Sequence, residues 1–279
     1  MSWHAEDLHT DQFGDGAPVL FIHGWGMHSG MWGDVLPKLA KQHRVMAVDL
    51  PGHGFSPVIG KREAESGKPG QRSTHHSPLT TYHVDVLVDR LAAQFTEPLT
   101  VCGWSLGGQI ALRWAQRYPL QVSRLILISS TPCFVQQDNW PCAMAADTLG
   151  AFAAALQQDY LATLRRFLAL QVRGGEQERE LLISLRRLLQ SRGEPDLAAL
   201  QTGLDILREC DLRDALPQIV QPTLAIAGVR DTLTPLAAMQ YLADNMPAAR
   251  LVTIEGAAHA PFLSHPEHFI QLVSDFLHE

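Results

Sequence analysis

Residues 98–118 read PLTVCGWSLGGQIALRWAQRY, an apolar run that meets a serine between two glycines and continues as a helix until Pro119. The run PLTVCGW (98–104) is apolar on both faces, as in a strand covered by helices on either side. Gly103-Trp104-Ser105-Leu106-Gly107 therefore has the strand, sharp turn and helix of a nucleophile elbow. Ser105 must adopt a strained backbone at such a turn, and Gly103 and Gly107 lack the side chains that would collide there. The N-terminus of the following helix favours negative charge developing nearby.

Outward from this unit the same rhythm repeats. Strand-like runs occur at PVLFIH (18–23), RVMAVDL (44–50), RLILISS (124–130), PTLAIAG (222–228) and RLVTIEG (250–256). Between them Trp32, Val35, Leu36, Leu39 and Ala40 recur at helical spacing, as do Tyr82, Val86, Leu87, Leu91 and Phe95. Further helices open at Pro235 and Pro266. This alternation predicts an α/β fold with a mostly parallel central sheet flanked by helices.

From 133 to 217 the strand signal nearly vanishes, and TLGAFAAAL, YLATLRRFLALQV, ERELLISLRRLLQ and DLAALQTGLDIL carry helical periodicity. The expected organisation is a core of 1–132 and 218–279 with an all-helical lid inserted at 133–217. Residues 57–78, nearly devoid of apolar side chains, read as a flexible surface loop within the core.

A serine nucleophile needs a base, an acid to orient that base, and an oxyanion site, and on this sheet type the order is serine, acid, histidine. Asp231 follows PTLAIAG and His259 follows the last strand in a loop of small residues, GAAHAP (256–261). Both fall at the carboxyl edge of the sheet, where catalytic groups gather. His265, directly before Pro266, and His268, inside the last helix, read as capping and surface residues. The oxyanion donors are expected to be the backbone N–H groups of Leu106, next after the nucleophile, and of Trp25 in His23-Gly24-Trp25-Gly26.

Composition narrows the alternatives. The 279 residues carry 46% hydrophobic and 18% charged side chains, the balance of a globular chain of one or two domains. A net charge of -7 argues against a protein that gathers nucleic acid. No signal peptide or membrane span is apparent, so the expected location is the cytoplasm. Four cysteines without a C-x-x-C pair fit reduced structural thiols. No dinucleotide, P-loop or zinc-protease motif occurs, and the economical expectation is a hydrolase that needs no cofactor and no metal.

HGWG (23–26), DLPGHGFS (49–56), GWSLGG (103–108), the aspartate after the sixth strand and GAAHAPF (256–262) together resemble the α/β-hydrolase superfamily across almost the whole chain. More narrowly, STPCF (130–134), RFLALQ (166–171), GLDIL (203–207) and DLR (211–213) resemble the carboxylesterases that act on the methyl ester of a pimeloyl chain borne by acyl-carrier protein in biotin biosynthesis. That resemblance implies Ser105, Asp231 and His259 as the triad, the backbones of Trp25 and Leu106 as oxyanion donors, and Trp25, Trp104 and Phe167 as acyl-pocket aromatics. It further implies acyl-carrier protein as partner, docked through lid arginines, with Arg166 and Arg179 in matching positions. Residues 160–192 hold seven arginines (165, 166, 173, 179, 186, 187, 192) against three glutamates (176, 178, 180), which suits an acidic partner. The 57–78 loop is longer than that family leads one to expect. The triad alone leaves open a broad short-chain carboxylesterase or thioesterase, a carbon–carbon bond hydrolase, or a hydrolase-derived ligand-binding receptor. A monomer is expected.

Overall fold

A computed structural model describes residues 8–58 and 83–279. Seven strands form one sheet: β1 (Thr10–Phe13), β2 (Pro18–Ile22), β3 (Arg44–Val48), β4 (Leu99–Trp104), β5 (Val122–Ile128), β6 (Thr223–Gly228) and β7 (Ala249–Ile254), in the order β1-β3-β2-β4-β5-β6-β7. Only β1 runs antiparallel, against β3. All six residues of β4 and of β6 are buried, whereas β7, at the edge, is largely half-exposed.

Flanking helices are α1 (Val35–Leu39), α2 (Val84–Gln94), α3 (Leu106–Arg117), α8 (Leu236–Asn245), α9 (Pro261–Ser264) and α10 (Pro266–His278). The helix expected over Trp32 to Ala40 is instead a 3-10 turn, Ser29–Trp32, and the short α1, because Gly33 between them adopts φ 50°. The other early helix starts at Val84, and Tyr82 lies outside the described residues. The same holds for the 57–78 loop beyond Val58.

Between β5 and β6 stand α4 (Ala146–Gln158), α5 (Tyr160–Val172), α6 (Glu178–Gln190) and α7 (Leu197–Glu209). The two ends of this insertion meet: the Leu212 amide donates to the Pro132 carbonyl at 2.8 Å, and Cys133 pairs with Asp211. Asp159 and Asp196 cap α5 and α7 by accepting from Ala162 and Ala198, each at 2.9 Å. On α5 the buried stripe Thr163, Leu164, Phe167, Leu168, Gln171 and Val172 follows the helical period, so Arg165 and Arg166 face outward. Buried side chains of the insertion, Phe167 and Leu200 among them, belong to the same apolar cluster as the strands.

The chain leaves β2 to one side for β3 and then crosses back to the other side for β4. That reversal opens a crevice beyond the carboxyl ends of β2 and β4. Ile22 is in register with Gly103, and Gly103 with Leu127, so the loops after β2, β4 and β6 emerge at one level.

Candidate active site

Ser105 takes φ 56° and ψ -118°, a left-handed conformation that an L-residue adopts only under constraint. The constraint is local: its amide donates to Ile128 at 2.9 Å, and its carbonyl accepts from Gly108 N–H at 2.9 Å and Ser130 Oγ at 2.8 Å. A Cβ at Gly103 would lie 2.3 Å from the Gly107 carbonyl oxygen, and one at Gly107 would lie 2.3 Å from that of Ile22. Both spacings are too short for any side chain, so the turn needs both glycines.

His259 is 1% exposed and its Nδ1 stands 2.8 Å from Asp231 Oδ2. Asp231 also accepts from the amides of Leu233 (2.8 Å) and Thr234 (3.0 Å) and from Thr234 Oγ1 (2.7 Å). Burial alone would push this carboxyl up. The charge and hydrogen bond of His259 and the bonds from Thr234 outweigh it and hold Asp231 below the usual carboxylate range. An ionised Asp231 accepts from Nδ1 of His259, so in the neutral imidazole the proton is held on Nδ1 and Nε2 is the nitrogen free to accept. Among the described residues Nε2 has no hydrogen-bond partner.

The main chain of His259 is held from both sides. Its amide donates to the Gln171 carbonyl of α5 at 3.0 Å, and its carbonyl accepts from Trp104 Nε1 at 2.8 Å. Glu176 N–H donates to Gly256 at 2.9 Å and Arg230 Nη1 to Gly174 at 3.2 Å, so the α5–α6 turn is tied to the loops of both Asp231 and His259. Sequence reading missed these ties, because main-chain carbonyls carry no signal in residue type.

Trp25 and Leu106 lie close together: a Cβ at Gly24 would come 3.3 Å from Ser105 Cβ, and Gly203 of α7 abuts both the Trp25 ring and Leu106 Cδ2. Among the described residues neither the Trp25 nor the Leu106 amide donates to a protein acceptor. Trp25 packs edge-on against Phe167 (4.8 Å between centroids) and Phe152 (5.3 Å), while its Nε1 donates to Leu200 at 2.8 Å. Phe152 of α4 completes an aromatic trio that sequence reading left out.

The ring contacts set Trp104 apart from Trp25 and Phe167. Trp104 packs with Trp32, Phe262 and the His259 imidazole. Arg166 and Arg179 are exposed on α5 and α6, and neither forms an ion pair among the described residues. His265 occupies the N-cap position of α10 without a side-chain capping bond, its Nδ1 2.9 Å from Ser264 Oγ, and His268 is exposed on that helix. An open surface hollow of ≈ 800 Å³ at the base of the insertion, lined by Gln136, Asn139, Asp147 and Arg213 among others, contains none of the expected site residues.

Residues 17–266 match the family model described as the alpha/beta hydrolase fold. The chain is similar to proteins named pimeloyl-[acyl-carrier protein] methyl ester esterase from Nitrosomonas europaea and Aeromonas hydrophila. The first is 41% identical over 94% of this chain and 96% of its own, the second 38% over 96% and 98%. Among solved structures it resembles an esterase from Exiguobacterium antarcticum, with TM-score 0.83 and 25% identity over 98% of this chain and 96% of the other. From the sheet order, the serine at its strained turn and these full-length likenesses, the chain belongs to the alpha/beta hydrolase fold family as a carboxylic ester hydrolase.

Proposed function

We propose that the protein hydrolyses pimeloyl-[acyl-carrier protein] methyl ester to methanol and the carrier-bound free acid, acting in the cytoplasm as a monomer without a cofactor. The observation that carries this reading is the similarity, over nearly the full length, to relatives of that name. His259 Nε2 takes the proton of Ser105 Oγ as that oxygen attacks the ester carbonyl. The oxyanion accepts from the amides of Trp25 and Leu106. Nε2–H then returns the proton to the leaving methoxide, which departs as methanol. In the second half His259 deprotonates water, the water attacks the acyl-serine, and Ser105 is restored. Asp231 stays ionised and holds the imidazole in the tautomer that exposes Nε2.

In this reading residues 133–217 form the lid over a core of 1–132 and 218–279. Trp25 and Phe167, with Phe152 beside them, line the acyl pocket, and Trp104 serves it from below by fixing His259. Arg166 and Arg179 contact the acidic carrier. The charge pattern supports this assignment: Arg165, Arg166, Arg173, Arg179, Arg186 and Arg187 are exposed without an ion pair among the described residues, whereas Arg113, Arg117 and Arg250, outside the insertion, each have one.

The test is methanol release from pimeloyl-[acyl-carrier protein] methyl ester by the purified protein beside its Ser105→Ala variant. Release that depends on Ser105 is the expected result. Turnover of a butyrate ester with none of the carrier-bound substrate would reduce the function to that of a broad short-chain esterase.

A further inference from the structure

Six of the seven arginines between 160 and 192 are exposed. The seventh, Arg192, in the turn after α6, points inward, with its side chain 16% exposed. Its Nη2 donates to Asp11 Oδ2 of β1 at 2.6 Å and its Nη1 to Ser29 Oγ at 2.7 Å, with Asp49 Oδ2 at 3.4 Å. The guanidinium also stacks over Phe55, 5.0 Å from the ring centroid.

Both carboxylates converge on the same serine. Ser29 Oγ donates to Asp11 Oδ2 at 2.8 Å, and the Ser29 amide donates to Asp49 Oδ1 at 2.6 Å. Asp49, fully buried at the end of β3, takes a further bond from the Phe55 amide at 2.9 Å. Burial pushes the Asp11 carboxyl up, but the hydrogen bonds from Ser29 and Arg192 and the Arg192 charge hold it below its usual range. The cluster therefore works as a charged clamp, with Arg192 as its permanent cation and His9 Nε2 3.2 Å from Asp11 Oδ1 on the other side.

What the clamp grips is the turn that carries Trp25. Residues 24–28 lie between β2 and the 3-10 turn that Ser29 opens, closed by the Met27 amide on the Gly24 carbonyl at 3.2 Å. Three side chains of residues 24–29 meet the helical insertion: Trp25 Nε1 on Leu200, His28 Nε2 on Leu188 at 2.9 Å, and Ser29 on Arg192. The first two are single neutral hydrogen bonds. The third comes from a cation that donates to Ser29 through Nη1 while Nη2 anchors it on Asp11, which makes it charge-assisted and the strongest of the three.

We propose that Arg192 is a positioning residue for the oxyanion hole: through Ser29 it fixes the Gly24–Ser29 turn, and with it the Trp25 amide, against the insertion. This rests on the esterase reading above in requiring an ester that Ser105 cleaves and the Trp25 amide as an oxyanion donor. It sets Arg192 apart from the outward arginines, whose effect would be confined to carrier-bound substrate.

The experiment compares wild type, Arg192→Ala and Ser29→Ala on p-nitrophenyl butyrate, with active sites counted by titration with a serine-reactive phosphonate. Affinity for a trifluoromethyl ketone, whose serine adduct places an oxyanion in the hole, is measured in parallel. For Arg192→Ala, kcat per titrated site falls about 10- to 100-fold with KM nearly unchanged, the signature of a displaced transition-state contact. Ketone affinity falls in step. Ser29→Ala, which keeps the ion pair and removes only the relay, shows the same pattern more weakly and carries the test if Arg192→Ala does not fold. Unchanged kcat per site and unchanged ketone affinity would overturn the proposal, as would a loss seen only with carrier-bound ester. Absence of Ser105-dependent turnover in the wild type would instead defeat the esterase reading.

Discussion

At the scale of single residues, the proposed mechanism rests on Asp231 keeping His259 in one tautomer. Asp231→Asn offers an amide that can donate to Nδ1, so the imidazole turns over its protonation and Nε2 no longer accepts. We expect kcat to fall by about 10³- to 10⁴-fold with KM little changed, as measured on a small ester. Because its folded value is depressed, Asp231 contributes stability that is present above the ordinary carboxylate value of about 4 and is lost as pH falls through the lower folded value. Activity should therefore show no loss from this carboxyl at any pH above about 4. The residues of this site were legible in sequence because each sits at a defined place: the serine at a strand-to-helix turn, the acid and the histidine just after later strands. Trp104 and Arg192 were legible only by type. Whether an indole at a strand end faces a pocket or the packing beneath it, and whether one of seven arginines turns inward, is decided by neighbours distant in the chain.

At the scale of elements, α7 determines the room left for Trp25. A Cβ at Gly203 would come 2.5 Å from Trp25 Cδ1 and 3.0 Å from Nε1, so Gly203→Ala must displace the indole. We expect kcat/KM to drop about tenfold or more on pimeloyl-length esters, since displacement by about 1 Å is enough to misplace reacting groups. Unaltered kinetics would show that the ring has another place to go. The outward faces of α5 and α6 carry the second expectation. Arg166→Glu with Arg179→Glu should raise KM for carrier-bound substrate and reduce its salt dependence while leaving butyrate turnover intact. The strands and insertion helices stood out in sequence by their long apolar periods. β1 did not, because Thr10–Phe13 is four residues, partly polar, and held as an edge strand by pairing with β3. The helix after β2 was overextended because spacing alone does not register the break at Gly33.

For the whole molecule, acid stability follows from buried histidines. Burial, reinforced by the nearby His53, pushes His23 down to about 3, and burial also lowers His28 and His53. A group depressed in the folded state takes up its proton mainly on unfolding, so stability is complete above the ordinary histidine value near 6.5 and declines as pH falls below it. For His23 the decline is about 2 kcal/mol between pH 7 and pH 5. The thermal midpoint should drop over that interval, and a midpoint constant from pH 7 to 5 would contradict the assignment. All three histidines lie in the loops that follow β2 and β3, so acid should loosen that side of the crevice before the strands.

The central claim is tested most directly by kcat/KM on pimeloyl-[acyl-carrier protein] methyl ester, measured beside the same methyl pimeloyl chain on free pantetheine, for wild type and Ser105→Ala. The account predicts turnover that vanishes with Ser105 and favours the carrier-bound ester by about tenfold or more, a preference that shrinks as salt screens the lid arginines. Hydrolysis that survives Ser105→Ala, or equal rates with and without the carrier, would contradict it.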